Sequence, residues 1–174
     1  NNYLEWLYET IDNCAKNKNI NWFFKAHPFE ISYPILMKHQ NKIQSKIKDN
    51  GFTYIEAKEK FLHKDVAELA SIIITCHGTC KIEYPALYDI PVISCIGYNN
   101  ITYDTENLPF TAKSSLEYSQ LISDADKLFH TKEDLRKVKE LLVFNKILSG
   151  KDIKEEIKIY KYKDQKGNDF IRSF

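Results

Sequence analysis

The chain has 174 residues, 43% of them hydrophobic and 28% charged, which is the composition of a soluble globular domain. Its 25 basic and 24 acidic residues nearly cancel, and this balance excludes strong nonspecific attraction to nucleic acid or anionic lipid. No apolar stretch approaches the roughly 20 residues of a membrane span, and no signal-peptide pattern stands out. We therefore predict one cytoplasmic domain over residues 1–174, with no nucleic acid as a partner.

The start of the sequence and the cysteines add two expectations. The chain begins with Asn1 rather than methionine, so we expect it to be the carboxyl-terminal part of a longer protein. The cysteines lie mostly in apolar surroundings and lack the dense spacing of a disulfide framework, which agrees with a cytoplasmic location. They are Cys14, Cys76, Cys80 and Cys95.

The first third of the chain predicts two helices and a strand. Apolar residues recur at helical spacing between Tyr3 and Lys16, as in an amphipathic helix. The apolar and aromatic run 20–25 is long enough only for a strand. Segment 33–48 has apolar residues near one face and predicts a second helix, which Gly51 would stop through a left-handed cap.

The middle of the chain continues this alternation. We predict strands over 52–56, 71–76 and 91–96, a short helix over 64–70, and helical structure between the last two strands up to Leu87. The strand 71–76 contains three successive isoleucines without polar alternation, which is typical of a parallel strand covered on both faces. The sequence therefore predicts an α/β domain with a parallel sheet.

The last third is less regular. Residues 99–113 are polar and aromatic without a period, and we predict a long loop there. Thr131 and Asp134 have the spacing of a capping box and predict the start of a helix that ends at Leu148. The tail from Gly150 is charged and contains several tyrosines, and its pattern predicts no particular structure.

Two histidine-bearing turns follow predicted strands about fifty residues apart. Lys25-Ala26-His27-Pro28 closes the first strand, and His77-Gly78-Thr79 closes the triple-isoleucine strand. In an open α/β sheet, ligands bind at the carboxyl ends of the strands. Glycine permits close approach to the backbone, the start of a helix offers N–H donors, and imidazole and lysine add positive charge. The two turns therefore predict a phosphate site.

Glu83 completes the predicted nucleotide site. Glu83 follows Thr79 by four residues, so a helix that begins at Thr79 places the two residues on one face. The Glu83 carboxylate would then lie one turn from the phosphate, within reach of ribose hydroxyls. Pro85 complicates this geometry, because proline inside a helix clashes with the carbonyl four residues earlier. Either the helix is kinked or its regular part begins later.

Structural interpretations of the same residues stay open. Each histidine can be an ordinary turn residue, and Glu83 can be a solvated helix residue. Cys76 and Cys80 flank His77, yet their spacing favours buried thiols over a metal site, and we predict no metal. We expect the other histidines to be surface groups, with one of them near the strand-to-helix rim. They are His39, His63 and His130, of which His63 is the one near the rim. Tyr98 and Tyr103 either stack on a base or sugar or pack within the fold.

The ordered motifs resemble a known enzyme family. Lys25-Ala26-His27-Pro28, His77-Gly78-Thr79, Glu83-Tyr84-Pro85-Ala86-Leu87 and Pro91-Val92-Ile93 together are similar to the carboxyl-terminal half of GT-B glycosyltransferases of bacterial surface-polysaccharide synthesis. The similarity is to capsule polysaccharide biosynthesis proteins, including Kdo transferases, and more loosely to sialyl and glycerophosphate transferases. The departures are His77, where related turns often have a small residue, and Tyr88-Asp89, where a glycine commonly precedes the strand.

This resemblance implies a Rossmann-like parallel sheet with helices on both faces, forming half of a GT-B fold that holds a nucleotide-sugar donor, with CMP-linked sugars among the candidates. It implies that His27 and Thr79 contact the donor phosphate, that Gly78 allows close approach and that Glu83 meets the ribose or base. Lys25 and His77, beside them in the two turns, are further candidate substrate-binding residues. His27 would be the catalytic residue of this half.

The resemblance implies partners and leaves alternatives. A glycan or lipid-linked acceptor, and usually the general base, would come through an amino-terminal domain that this chain lacks. The full protein would be cytoplasmic, with peripheral association at the inner face of the membrane allowed, and would need no cofactor. A nucleotide-sugar 2-epimerase and a non-catalytic nucleotide-binding module remain alternatives.

Overall fold

The computed structural model describes residues 3–27, 34–76, 78–95 and 107–148, and the statements below refer to these residues. Helices and short strands alternate along most of them. In chain order the elements are α1 (Tyr3–Lys16), β1 (Phe23–Lys25), α2 (Pro34–Asp49), β2 (Thr53–Ile55), α3 (His63–Leu69), β3 (Ile73–Ile74), α4 (Cys80–Tyr88), β4 (Val92–Cys95), β5 (Thr111–Ala112), α5 (Ser115–Ser123), a 3₁₀ turn (Ala125–Lys127) and α6 (Lys132–Leu148).

The strands pair in parallel and form two small sheets. β1 pairs with β2, with Phe24 opposite Tyr54. β4 lies between β3 and β5, with Ile93 opposite Ile74 on one side and Ser94 opposite Thr111 on the other. The predicted α/β architecture with parallel strands is confirmed at this level, although the described strands form two sheets rather than one.

One hydrophobic cluster joins the two sheets. Phe24 of β1 and Ile74 of β3 both pack against it, so the strands of the two sheets share a core. Burial of apolar surface is worth roughly 25 cal/mol per Å², which makes this shared core the main link between the sheets. Its buried members are Trp6, Cys14, Ile72, Cys76, Ile93, Cys95, Ala112, Tyr118, Ile122 and Ala125.

Buried hydrogen bonds fix α1 against α5. The Thr10 hydroxyl lies 2.7 Å from the Tyr118 hydroxyl, and the Asn17 amide donates to the Ile122 carbonyl at 2.9 Å. Each such bond contributes about 1 kcal/mol and would leave a buried polar group unsatisfied if its partner were removed. These bonds specify the relative position of two helices whose apolar contacts alone would allow sliding.

Apolar contacts join α4 to its helical neighbours. Ile82 and Ala86 of α4 pack in one cluster with Val138 and Leu142 of α6. Tyr84, on another side of α4, packs in a second cluster to which α3 also contributes. α4 is therefore held between α3 and α6, and its amino terminus has a fixed position behind β3.

The sequence predicted the helices better than the strands. α1, α2, α3, α4 and α6 agree with prediction to within a residue or two, whereas the strands are shorter than expected. The prediction of a loop over 99–113 is wrong at its end, where Thr111–Ala112 forms β5. Tyr98, Tyr103 and the tail from Gly150 lie outside the described residues.

α5 is the helix that the sequence analysis missed. The Ser114 hydroxyl accepts from the Glu117 N–H at 3.2 Å, and the Glu117 carboxylate accepts from the Lys113 N–H at 2.7 Å. A serine followed three residues later by glutamate is a sequence signal for a helix start. This signal, together with the apolar spacing of Tyr118 and Ile122, was sufficient to predict α5.

Candidate functional site

The turn after β3 depends on a glycine. Gly78 has a φ angle of +101°, which side-chain-bearing residues rarely adopt. A Cβ atom added there would meet nothing within 4 Å. The glycine is therefore required by its backbone angle and not by crowding, and open space adjoins its Cα. His77, the predicted ligand beside it, lies outside the described residues.

The amino terminus of α4 follows this turn directly. The N–H groups of Ile82 and Glu83 make the first bonds of the helix, to the Thr79 carbonyl at 2.8 and 2.9 Å. By helix geometry, the preceding N–H groups point beyond the helix end, where the macrodipole amounts to about half a positive charge. The Thr79 hydroxyl makes no capping hydrogen bond, and Thr79 is exposed. These groups can receive an anion.

Pro85 lies inside α4 without delaying its start. The helix runs from Cys80 to Tyr88, and Glu83 is one turn beyond Thr79. Proline lacks the N–H that would bond to the carbonyl four residues earlier, so one bond is lost while the helix continues. The alternative that the regular helix begins only later is therefore wrong, and the spacing assumed for Thr79 and Glu83 is present.

The end of β1 carries its positive charge on side chains. The Ala26 N–H donates to the Ile55 carbonyl at 2.9 Å, which extends the β1–β2 ladder one residue beyond the strand. The Lys25 ammonium donates to the Ala26 carbonyl at 3.3 Å. His27 follows and is exposed, and partial burial of its ring together with the nearby Lys25 charge lowers its pKa. His27 is therefore mainly neutral at pH 7.

Glu83 faces α3. Its Oε2 atom lies 3.4 Å from Nδ1 of His63, with the Glu83 side chain only 16% exposed and the His63 side chain 54% exposed. The same oxygen is buried without a hydrogen-bond partner. The two groups are therefore at an ion-pair distance, but their geometry is not that of a hydrogen bond. His63 also stacks on Tyr84, with ring centroids 5.2 Å apart. The expected surface histidine near the rim is thus a half-exposed partner of Glu83.

Lys81 is a polar residue of this region that the sequence analysis missed. It lies in the first turn of α4 and is only 2% exposed. Burial lowers the pKa of Lys81, and electrostatic interaction with the thiols of Cys95 and Cys76 raises it by a smaller amount. Lysine is almost never fully buried unless it is paired. Nothing in the local sequence distinguishes Lys81 from a surface lysine, so only tertiary packing identifies it.

The described cysteines are free thiols in apolar surroundings. Burial raises the pKa of Cys14 to about 12 and that of Cys95 to about 11. Thiols with raised pKa values are poor nucleophiles, because the thiolate is the reactive form. Within the described ranges, no group of three or more histidine, cysteine or acidic residues could hold a metal ion.

His130 is the one predicted surface histidine that the structure contradicts. Its side chain is only 1% exposed, and Nδ1 lies 3.0 Å from Oδ1 of Asp89. Asp89 ends α4 in the left-handed conformation, with a φ angle of +55°. The imidazole also packs against the ring of Phe110, at 5.4 Å between centroids. His130 thus secures the carboxyl end of α4, opposite the candidate site.

Comparison with protein-family models, curated proteins and solved structures finds no match to this chain. In the part of the chain that the structure describes, no helix has the length and apolar character needed to cross a membrane.

Proposed function

We propose that this chain is the donor-binding domain of a glycosyltransferase of the GT-B type, which transfers a sugar from a nucleotide-sugar in bacterial capsule or lipopolysaccharide synthesis. One observation carries the proposal. Gly78, in a conformation that favours glycine, leads straight from β3 into α4, whose first turn presents N–H groups and the uncommitted Thr79 hydroxyl. This is the arrangement that proteins use to bind phosphate without a metal.

The connections between strands support a shared site. β1 leads through α2 to β2, and β3 leads through α4 to β4, each as a parallel pair. Parallel crossovers are nearly always right-handed, and β1 and β3 contribute to one core. We therefore propose a Rossmann-like arrangement of the two parallel sheets, with helices on both faces, in which the ends of β1 and β3 open into one crevice. Such a crevice is the usual ligand site of these folds.

Each candidate residue then has a chemical task. The backbone at Gly78, the Thr79 hydroxyl and His27 would bind the donor phosphates and stabilise the charge that develops on the leaving phosphate. Lys25, and His77 beside the turn, would add positive charge. Glu83 would accept from the ribose through Oε1, since its other oxygen faces His63. A second domain of the full protein would supply the glycan or lipid-linked acceptor, at the inner face of the membrane.

Nucleotide binding by the chain itself is the decisive test. Thermal unfolding would be followed with CMP, CDP, UDP and GDP, at concentrations up to 100 times the dissociation constant. Binding at that ratio stabilises the native state by about 2.7 kcal/mol. For a chain of this size we expect a rise in Tm of roughly 5–10 °C for at least one nucleotide. No shift with any nucleotide, together with no heat of binding by calorimetry, would contradict the proposal.

Turnover by the full-length protein separates transfer from other uses of a bound nucleotide. We expect sugar transfer from the bound donor to a surface-glycan acceptor. We also expect the isolated chain to fold and bind nucleotide but not to catalyse transfer. Epimerisation of the donor without any acceptor would identify an epimerase instead. Nucleotide binding with no turnover under any condition would identify a binding module.

A further inference from the structure

His63 and Glu83 form a histidine–carboxylate pair between two helices. Nδ1 of His63 lies 3.4 Å from the buried Oε2 atom of Glu83, and the stack on Tyr84 restrains the plane of the imidazole. The two residues are twenty positions apart in sequence, so tertiary packing creates the pair. Val66 and Ala67 of α3 pack against the cluster that contains Tyr84, which holds the helices together.

The position of Glu83 favours a proton on one ring nitrogen of His63, although the 3.4 Å contact is not itself a hydrogen bond in this structure. A buried carboxylate oxygen needs a hydrogen-bond donor, because desolvation without one is costly. The nitrogen that faces Oε2 is Nδ1, so the pair favours the Nδ1–H form of His63 and leaves the lone pair on Nε2. The His63 side chain is 54% exposed. Its other nitrogen can therefore meet a ligand.

Neighbouring charged groups leave Glu83 as the carboxylate partner. Asp65 accepts from the Leu62 N–H at 2.9 Å, and Lys64 pairs with Glu68 at 3.6 Å, both within or beside α3 itself. On α4, burial raises the pKa values of Tyr84 and Cys80, which keeps both neutral at pH 7. Among these groups, Glu83 is the carboxyl group in contact with His63.

The pair lies beside the proposed phosphate site. His63 begins α3, which follows β2, while Glu83 is one helical turn beyond Thr79 in α4. A neutral imidazole oriented by a carboxylate is the usual form of a general base. Glu83 lies one helical turn from the candidate phosphate site, and His63 contacts Glu83.

We propose that His63, oriented by Glu83, is the proton acceptor of this site. Nε2 removes the proton from an attacking hydroxyl as the hydroxyl oxygen bonds to the anomeric carbon of the sugar. The bond between that carbon and the phosphate oxygen breaks, and its electron pair leaves on the phosphate. The imidazolium that results is stabilised by Glu83. The inference rests on the proposed function, and it assigns to this chain a base that the family resemblance would put in the other domain.

The kinetic test uses the full-length protein that carries this chain, with donor hydrolysis as the readout. Water then replaces the acceptor, so the acceptor need not be identified. We expect His63→Gln to lower kcat for hydrolysis by about 10²–10⁴-fold, the usual contribution of a general base. The dissociation constant for the nucleotide should change less than twofold. His39→Gln on α2 is the matched control and should change none of these values.

A spectroscopic test needs no catalysis. Two-bond ¹H–¹⁵N NMR correlations report which imidazole nitrogen is protonated in the neutral form. We expect Nδ1–H at His63 in the wild-type chain, and a shift toward Nε2–H in Glu83→Gln. If His63→Gln does not fold, the wild-type spectrum still decides, because an Nε2–H form unaffected by Glu83→Gln would overturn the proposal.

The outcomes separate this inference from the function on which it rests. Nucleotide binding with an unchanged kcat in His63→Gln overturns the base and leaves the donor-binding function intact. Absence of nucleotide binding in every form removes the proposed function and the base with it. Loss of nucleotide affinity in His63→Gln, with kcat unchanged at saturation, would make His63 a binding residue and also overturn the proposal.

Discussion

The ends of β1 and β3 offer positive potential in two different ways. At β3 it comes from the backbone, through the left-handed Gly78 and the first turn of α4. At β1 it comes from side chains: Lys25 supplies it at neutral pH, and His27, whose pKa is lowered, adds charge only at lower pH. Backbone dipoles do not titrate, whereas imidazole changes its charge between about pH 5 and 8. The potential at the β3 end is thus independent of pH, whereas that at the β1 end varies with pH.

This difference makes the two ends separable by experiment. Changes at the β3 end should alter both the fold of the turn and the affinity for phosphate, because the same backbone does both. Changes at the β1 end should alter affinity with little effect on folding, because an exposed side chain carries the charge.

Gly78→Ala should have the largest effect. A side chain at a φ angle of +101° is strained by about 1–3 kcal/mol, and we expect a loss in Tm of roughly 2–10 °C together with more than tenfold weaker nucleotide binding. Gly51→Ala is the matched control, because Gly51 also has a positive φ angle of +77° and open space around it. It should destabilise comparably without weakening binding. Equal losses of affinity in both variants would remove the turn from the site.

His27→Ala should weaken nucleotide binding by about 1–3 kcal/mol, roughly 5–150-fold, as expected for loss of a hydrogen bond to a charged group. Because His27 is exposed, Tm without ligand should hardly change. Calorimetric titration and thermal unfolding measure the two quantities. His39→Ala on α2 is the control for removal of a histidine. An unstable His27→Ala variant with normal affinity would make His27 a structural turn residue.

Thr79→Val should have a smaller and more selective effect. The hydroxyl contributes one hydrogen bond, so we expect a loss of about 0.5–1.5 kcal/mol for nucleoside diphosphates and none for the bare nucleoside. Thr79→Ser retains the hydroxyl and should bind normally. A similar loss for the nucleoside and the diphosphate would indicate that the side chain acts through packing of α4.

Lower pH should strengthen nucleotide binding a few-fold through His27. A bound phosphate favours the imidazolium and raises the pKa of His27, which is lowered in the free chain, so binding takes up a proton. Affinity should rise as pH falls from about 7.5 through 6.5, and calorimetric heats should depend on the buffer's ionisation enthalpy. His27→Gln serves as the control because it retains the titration of the nucleotide itself. The same pH slope in that variant would contradict the assignment.

Protonation of His27 should lower the stability of the free chain, whereas it should raise the affinity for nucleotide. Its pKa is lower in the folded state than the ordinary value of 6.5, so the unfolded chain binds more protons. The contribution of neutral His27 to the free energy of unfolding is therefore present above about pH 6.5 and is lost as pH falls below that value. Without ligand, acid should destabilise wild type slightly more than His27→Gln in thermal unfolding.

The long helices were predictable because their periodic apolar residues carry a local signal. Two-residue strands such as β5 carry almost no local signal. The buried hydrogen bond of 3.0 Å between the Ser94 and Thr111 hydroxyls, which accompanies β5, joins residues that are not neighbours in sequence. In the candidate site, Gly78 and the start of α4 were readable as a local motif. The burial of Lys81 and the pairing of His63 with Glu83 were not, because both result from how α3, α4 and the strands pack.

The contact between His130 and Asp89 has a mechanical consequence. α4 is anchored at its carboxyl end by the His130–Asp89 hydrogen bond and a left-handed cap, whereas its amino end adjoins open space at Gly78. Between these ends, Ile82 and Ala86 of α4 pack against Val138 and Leu142 of α6. The helix is thus restrained at its carboxyl end and along its side, so an anion at Thr79 would meet N–H groups whose positions are already set.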